Sequence, residues 1–459
     1  MPVPNDSIMS VIVATENGPL KPLLAALPDP VLSIQVIASD AQRAVHAVFR
    51  MESPRLIAGL TRLVRDVGLA EELAQDALVV ALERWPESGV PDNPGAWLMA
   101  TAKRRAIDEL RRDKRWQRKQ DAITHEIEAR AEFSVKDLDA ALDDDVGDDL
   151  LRLVFTSCHP ILSTDARVAL TLRLLGGLTT DEIARAFLVP EPTIAQRIVR
   201  AKRQLAESKV PFEVPRGPEL AERLASVLEV VYLIFNEGYS ATAGEDWMRP
   251  GLCDDALRLG RILAELSPNE PEVHGLVAIM EIQASRSKAR TGPNGEPILL
   301  LDQNRARWDR MLINRGLAAL ARAEALGGAS GPYALQAAIA ACHARASRAE
   351  DTDWSRIAAL YAALAERTPS PVVELNRAVA VSMAEGPAAG LAIIDALLTE
   401  PSLRAYHLLP SVRGDLLQKL GRLEEACSEF ERAASLTRNA RERALLTERA
   451  RACSSAKPS

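Results

Sequence analysis

The sequence predicts an all-α protein built from several domains. Aromatic residues make up only 4% of the 459 positions, alanine and leucine are abundant, and sheets are usually rich in β-branched and aromatic side chains. Apolar residues recur at three- and four-residue spacing along most of the chain, which is typical of amphipathic helices. The composition, 47% hydrophobic and 26% charged, is ordinary for folded protein, and the length exceeds that of one domain. We therefore expect two to four helical units.

Residue usage argues against several classes of protein. The five cysteines form no CxxC motif and no cluster with histidine pairs, so neither a zinc site nor a disulfide framework is expected. The sequence has no stretch approaching the ~18 apolar residues of a membrane helix, and its short N-terminal apolar run does not resemble a signal peptide. We expect a cytoplasmic protein. The sequence also lacks a Gly-rich phosphate loop and an HExxH motif, so we expect no enzymatic activity and no cofactor.

The first domain is expected at residues 41–119, after a poorly ordered arm at 1–40 that carries six prolines. Its second helix is acidic and runs from residue 69 to about residue 84, followed by a loop at 85–95 that three prolines stiffen. The polar side chains expected on the outward face of this helix are Glu71, Glu72, Gln75, Asp76 and Glu83.

A strongly basic helix is predicted after that loop. Residues 101–119 hold nine Lys/Arg and three Asp/Glu in a chain of net charge -7, so the positive charge is local. Apolar positions from Trp97 to Leu110 recur at helical spacing and form one face. The opposite face suits either phosphate groups or simple solvation, and it carries Lys103, Arg104, Arg105, Arg111, Arg112 and Arg115.

An acidic linker is predicted at 120–149, because residues 121–150 hold eleven Asp/Glu, two Lys/Arg and no apolar stripe. A second domain is expected at 150–210, where Leu178–Arg203 has the form of a helix-turn-helix. Thr179 or Thr180 can cap its first helix. The second helix should be buried through Ile194, Ile198 and Val199. Its outward side chains suit a major groove, and they are Thr193, Gln196, Arg197, Arg200 and Arg203.

The remaining residues, 218–455, are predicted to form an α-solenoid. Ala358, Ala392 and Ala426 are spaced by 34 residues, the period of tetratricopeptide-type helix pairs, in which small residues allow close packing. An insertion around 286–310 interrupts the array. It contains Asp302, Arg305 and Trp308, which we interpret either as a regulatory contact site for a partner or as a loop packed by Trp308.

The motifs taken in order resemble a known family. AEELAQDALVVALERW, the Pro/Gly loop and AWLMATAKRRAIDELRRDKR resemble region 2 of the bacterial RNA polymerase sigma factors of the extracytoplasmic-function type, and the helix-turn-helix resembles their region 4. VVYLIFNEGYSA and the insertion resemble the C-terminal extension of one subgroup. The resemblance implies core RNA polymerase and promoter DNA as partners, and regulation in cis by the repeats, whose concave surface would hold a protein or peptide ligand.

The resemblance also assigns roles to individual residues. The -10 element would be contacted by Asn93, Trp97, Lys103, Arg104, Arg111, Arg112 and Arg115, and the -35 element by Thr193, Gln196, Arg197, Arg200 and Arg203. Polymerase would bind Glu72, Gln75 and Asp76. The rival interpretation is a helix-turn-helix regulator with a repeat-type sensor that is not a polymerase subunit. Residues 52–118 separate the two, since such a regulator has no need of them.

Overall fold

The all-α class is confirmed in a computed structural model of the chain. It describes residues 40–121, 146–187, 189–241, 243–244, 248–293 and 296–455. The expected arm at 1–40, except its last residue, and the linker residues 122–145 lie outside this range. The chain divides into two compact units between Val230 and Val231. They are called the N-terminal unit and the C-terminal unit below. Among the described helices, none is long and apolar enough to cross a lipid bilayer.

The N-terminal unit begins with three long helices that pack on one another. They are α1 (Asp40–Val64), α2 (Val67–Ser88) and α3 (Pro94–Asp121). Helix α1 continues through Pro54 without interruption. Asp66 caps α2 by accepting a hydrogen bond from the Leu69 amide at 2.9 Å. Helix α2 also runs past Trp85 to Ser88, so the loop before α3 is shorter than predicted.

Four shorter helices complete the part of this unit that precedes residue 210. They are α4 (Val146–Ser157), α5 (Thr164–Leu174), α6 (Thr180–Phe187) and α7 (Glu191–Glu207). The predicted cap of α6 is Thr179, which forms a reciprocal capping box with Glu182. The Glu182 amide donates to the threonine hydroxyl at 3.1 Å, and the Thr179 amide donates to the glutamate at 2.8 Å. Helices α6 and α7 pack together as a helix-turn-helix.

The two halves of the N-terminal unit pack against each other, and the predicted linker ends earlier than residue 149. Helix α4 lies on α1, and Asp149, in the first turn of α4, is only 2% exposed. Its carboxylate accepts from Arg62 of α1 at 3.1 Å and from Arg152 at 2.5 Å. The acidic character of this residue therefore serves a buried ion pair rather than solvation.

Helix α8 (Pro218–Tyr239) begins in the N-terminal unit and ends in the C-terminal unit. Its first half is bonded to the helices before it. Arg223 donates to the Phe155 carbonyl at 2.9 Å, and the Ser226 hydroxyl donates to the Cys158 carbonyl at 2.7 Å. The structural division thus falls inside a helix, whereas the sequence predicted it between residues 210 and 218.

The C-terminal unit is an array in which successive helices pack as neighbours. The helices after α8 are α9 (Pro250–Leu266), α10 (Pro271–Ala284), α11 (Arg310–Ala325), α12 (Pro332–Arg345), α13 (Trp354–Arg367), α14 (Pro371–Glu385), α15 (Pro387–Leu397), α16 (Leu408–Lys419), α17 (Leu423–Leu436) and α18 (Ala440–Ser455). Small residues do permit close approach. A Cβ at Gly390 would lie 2.7 Å from the Ala378 carbonyl oxygen, and one at Gly414 would lie 2.9 Å from the Phe430 ring.

A short pair of parallel strands joins distant parts of this unit. Strand β1 (Ala243–Gly244) follows α8, and β2 (Arg438–Asn439) precedes α18. The buried Asn439 amide donates to the Ala241 carbonyl at 3.1 Å, a contact between residues 198 positions apart. The first and last parts of the array are therefore held together by backbone and side-chain hydrogen bonds.

Candidate nucleic-acid interface

The second helix of the helix-turn-helix, α7, presents one face to its own domain and one to solvent. Ile194 and Ile198 are buried as predicted, together with Ala201 and Leu205. The prediction for Val199 was wrong, because this residue is 63% exposed. The apolar stripe of α7 follows the i, i+4, i+7, i+11 positions, which leaves Val199 on the outer face.

Three of the five predicted groove-reading side chains stand exposed without an ion pair in the described chain. They are Thr193, Gln196 and Arg200. Arg197 is half-buried and lies 3.1 Å from the Asp165 carboxylate of α5, while Arg203 lies 3.4 Å from Glu207 on its own helix. Both ion pairs would have to open, or be shared, before these arginines could bind DNA.

A basic residue of α7 turns inward onto the acidic helix α2. The Lys202 ammonium is paired with the Glu71 carboxylate, which also accepts hydrogen bonds from Arg173 of α5 at 2.6 Å and from Gln75 at 2.6 Å. Glu71 is 3% exposed, so the prediction of an outward side chain at this position was wrong. This group of residues, called the Glu71 cluster below, links the helix-turn-helix to α2.

The predicted polymerase-binding residues lie along one edge of α2. Glu72 and Asp76 are exposed, and Gln75 is half-buried where it donates to Glu71. The Asp76 carboxylate is paired with Arg105 of α3. Because both members of that pair are more than 40% exposed, the pair contributes little to stability. It can exchange partners readily.

The loop before α3 and the first turn of α3 carry Asn93 and Trp97, two of the residues predicted to contact the -10 element. The Trp85 and Trp97 rings meet edge to face with centroids 5.3 Å apart, and Trp97 is the more exposed of the two. Asn93 caps α3, since its side-chain oxygen accepts from the Ala96 amide at 3.0 Å. Asn93 is exposed.

The basic face of α3 is described in part. Arg104 is exposed and Lys103 is half-buried, while Arg105 is engaged with Asp76. The same helix contains three further residues predicted to contact phosphate, Arg111, Arg112 and Arg115. Their side chains lie outside the described part of the structure.

The predicted regulatory residues of the insertion are mostly internal. Trp308 is 4% exposed and Arg305 is 8% exposed, whereas Asp302 is exposed. Arg305 donates to the carbonyls of His343 and Ala346, at 2.6 and 2.7 Å. It thereby supplies the C-terminal end of α12 with a cation, which the helix dipole favours. This placement corresponds to the interpretation in which Trp308 packs the loop.

The NEGY segment at the end of α8 has a structural explanation that the sequence did not provide. Glu237 is ion-paired with Arg249. A Cβ at Gly238 would lie 2.6 Å from the Cys253 amide nitrogen, so only glycine permits this approach of α8 to α9. The Tyr239 ring faces the guanidinium group of Arg290, with 3.5 Å between the ring centroid and the central carbon.

A basic helix behind an aromatic loop, followed by a helix-turn-helix, is an arrangement typical of a helical DNA-binding protein. Family comparisons agree with this class. Residues 48–116 match Sigma-70 region 2, residues 152–205 match Sigma-70 region 4, and residues 223–324 match a family of unknown function, DUF6596. The chain belongs to the extracytoplasmic-function sigma factors, in a form with a C-terminal extension.

Individual relatives cover different parts of the chain. An uncharacterized protein of Rhizobium meliloti is 44% identical over 86% of this chain and 92% of its own length. The probable ECF RNA polymerase sigma factor SigI of Mycobacterium tuberculosis is 31% identical over 37% of this chain, and the match spans 57% of SigI. SigK of Mycobacterium bovis, another ECF sigma factor, is 28% identical over 37% of this chain and 87% of its own length. No solved structure matches.

Proposed function

We propose that the protein binds core RNA polymerase, recognises the -10 and -35 promoter elements and directs transcription initiation under the control of its C-terminal unit. The observation that carries the proposal is that one chain holds a basic helix behind an aromatic loop and then a helix-turn-helix, in the order of sigma regions 2 and 4. A regulator with a single helix-turn-helix does not need α1–α3. The rival interpretation leaves the paired tryptophans and the basic face of α3 without a role.

The outer edge of α2 is the proposed polymerase contact. Glu72 and Asp76 are exposed carboxylates one helical turn apart, a spacing that presents both to a single basic surface. The exposed pair between Asp76 and Arg105 can be exchanged for a pair with polymerase at little energetic cost. Gln75 would join this surface once it leaves Glu71.

The two DNA elements divide between the two halves of the N-terminal unit. Exposed Thr193, Gln196 and Arg200 would lie in the major groove at the -35 element, where an arginine fork can hydrogen-bond guanine. The loop before α3, with Trp97 and the Asn93 amide, would hold an unstacked base of the -10 element, since aromatic rings support extruded bases. Arg104 would neutralise backbone phosphate.

The packing in this structure is incompatible with reading both elements at once. The centres of elements at -10 and -35 are separated by about 85 Å along B-DNA, at roughly 3.4 Å per base pair. Helices in contact have axes only about 10 Å apart, and α7 contacts α2 through the Glu71 cluster. We infer that the N-terminal unit is closed in the free protein and opens when polymerase binds. The 24 residues at 122–145 are enough chain to span about 80 Å when extended.

Control by the C-terminal unit is proposed from the continuity of α8. The first half of this helix is bonded to the helix-turn-helix domain through Arg223 and Ser226, and its second half belongs to the repeat array. A change in the array that alters α8 therefore acts directly on residues bonded to the DNA-reading domain. A protein or peptide ligand of the repeats would exert its effect by this route.

Purified full-length protein mixed with core RNA polymerase provides the test. We expect a stable complex that initiates transcription at specific sites of a supercoiled genomic library. Charge reversal of Glu72 and Asp76 together should weaken the complex and leave the melting temperature unchanged. Specific DNA binding without any association with polymerase would instead establish the rival function, a transcriptional regulator.

A further inference from the structure

The C-terminal unit encloses three arginines around two aromatic rings. Arg286, Arg290 and Arg305 are 7%, 3% and 8% exposed. The central guanidinium carbon of Arg290 lies 3.5 Å from the centre of the Tyr239 ring, and that of Arg305 lies 4.9 Å from the centre of the Trp308 ring. Arg286 lies between the rings, at 5.6 Å from Tyr239 and 5.8 Å from Trp308. These groups place three positive charges in a small internal volume.

Arg286 differs from the other two arginines in its partners. Arg305 is satisfied by the end of α12, and Arg290 donates to the Tyr239 carbonyl. The Nε of Arg286 is buried without a hydrogen-bond partner. Within the described chain its guanidinium contacts the two rings and forms no ion pair with a carboxylate.

Other buried groups of this part of the array are also short of acceptors. Trp308 Nε1, the Tyr361 hydroxyl and both ring nitrogens of His343 are buried without hydrogen-bond partners in the described chain. Burial, with the nearby charges of Arg286 and Arg305, lowers the pKa of His343 to about 3, so its imidazole is neutral. Burial likewise raises the pKa of Tyr361, against the effect of the Arg286 charge, so its O–H stays protonated. Each residue therefore has a hydrogen to donate.

An unpaired cation and several unused donors are an unstable combination in a protein interior. Removing a guanidinium from water is energetically costly unless a charge or acceptors replace the water. Contacts with aromatic faces offset only part of that cost. A bound anion could satisfy several such groups, because an oxyanion has several acceptor lone pairs and the charge opposite to that of arginine.

We propose that Arg286, with the donors of Trp308, His343 and Tyr361, forms a binding site for a small oxyanion, the phosphate or carboxylate group of a small molecule. The Tyr239 and Trp308 rings form its walls. The site lies wholly within the C-terminal unit and does not depend on the assignment of DNA or polymerase contacts. Such a site would allow the repeat array to bind a small anion in addition to a peptide ligand.

The test measures the thermal stability of the full-length protein with sodium phosphate, sodium acetate or sodium chloride at matched ionic strength. Three variants accompany the natural protein: Arg286→Met removes the charge at similar length, Tyr361→Phe removes one hydroxyl, and Arg307→Met is a control at an exposed arginine of the same insertion. Titration calorimetry with phosphate and with acetate then separates the two anion types.

We expect phosphate or acetate to raise the melting temperature of the natural protein and of Arg307→Met by about 3 °C more than chloride does. Arg286→Met should lose at least about tenfold in anion affinity, and Tyr361→Phe should lose several-fold. In chloride alone, Arg286→Met should be at least as stable as the natural protein, because it removes an unpaired buried charge. A purely structural arginine predicts the opposite: Arg286→Met melts lower in every salt, and neither anion exceeds chloride. That result would overturn the proposal.

Discussion

Replacing Glu71 by glutamine should open the N-terminal unit. The carboxylate of Glu71 holds Arg173 and Lys202, which belong to two helices of the helix-turn-helix domain. Glutamine keeps the size and one oxygen acceptor but loses the charge that attracts both cations. The substitution therefore weakens the Glu71 cluster while leaving the apolar packing of α2 intact.

The size of the effect follows from the burial of the three groups. Glu71 is 4% exposed at its side chain, and Arg173 and Lys202 are each about one-fifth exposed. A hydrogen bond to a charged group contributes about 1.5–3 kcal/mol. The two cations can recover part of this by hydration, and the glutamine oxygen keeps one bond. A net loss of about 2 kcal/mol is expected, which multiplies the ratio of open to closed protein by about 30.

Two measurements moving in opposite directions identify this mechanism. The melting temperature of Glu71→Gln should fall by several degrees, about 4 °C or more. Its affinity for core polymerase should rise by up to about 30-fold, because less binding energy is used to open the protein. Asp148→Asn is the matched control: it changes a carboxylate to an amide on the same unit, but at a side chain that is 65% exposed. Neither quantity should change in the control.

The reasoning is refuted if Glu71→Gln lowers the melting temperature and leaves polymerase affinity unchanged or weaker. The Glu71 cluster would then be a contribution to folding alone, and the closed form would have no regulatory meaning. Hydrogen exchange gives an independent check, since the amides of α7 should exchange faster in the variant if the helix has left α2.

Three other outcomes are expected. Arg104→Ala should weaken binding to all promoters alike and reduce the salt dependence of binding by about one counterion. The loss of affinity caused by Arg200→Ala should instead depend on the -35 sequence. The reverse pattern would exchange their roles. A fragment of residues 1–230 should have a higher melting temperature than one of residues 1–216, which lacks the half of α8 bonded to the helix-turn-helix domain. Equal melting temperatures would contradict the extension of the N-terminal unit to residue 230. The pKa of His343 is about 3 in the fold, below its ordinary 6.5, so the unfolded chain takes up the proton first as pH falls. The contribution of the neutral His343 side chain to the free energy of unfolding is complete above pH 6.5 and declines by up to about 3 kcal/mol by pH 4. His343→Asn should therefore flatten that part of the curve of stability against pH.

The helices were predictable because each carries its own apolar periodicity. The stripe of α7 and the capping box at Thr179 are local patterns, and the structure contains both. Val199 was misplaced because an aliphatic residue next to a stripe looks like part of it. The number of residues per turn, rather than residue type, decides which face it occupies.

The Glu71 cluster could not be predicted by the same means. Glu71 and Arg173 are 102 positions apart, and an acidic residue on an amphipathic helix is usually solvated. Only the packing of two helical domains brings their side chains together. Trp308 presents a related problem, because a lone tryptophan in a polar loop can either pack the loop against its own domain or lie on the surface and contact a partner. The choice depends on the arginines and aromatics that the fold collects around it.

The pairing of β1 with β2 can form only late in the synthesis of the protein. The Asn439 side chain, in β2, bonds to Ala241, just before β1, and these two residues are 198 positions apart. Ribosomes add about 5–20 residues each second. Asn439 therefore emerges roughly 10 to 40 s after Ala241. During that interval the whole N-terminal unit has been synthesised and can fold, while the repeat array still lacks the segment that joins its end to its beginning. A nascent chain thus carries a complete N-terminal unit before its repeat array is complete, and the speed of translation determines how long that state lasts.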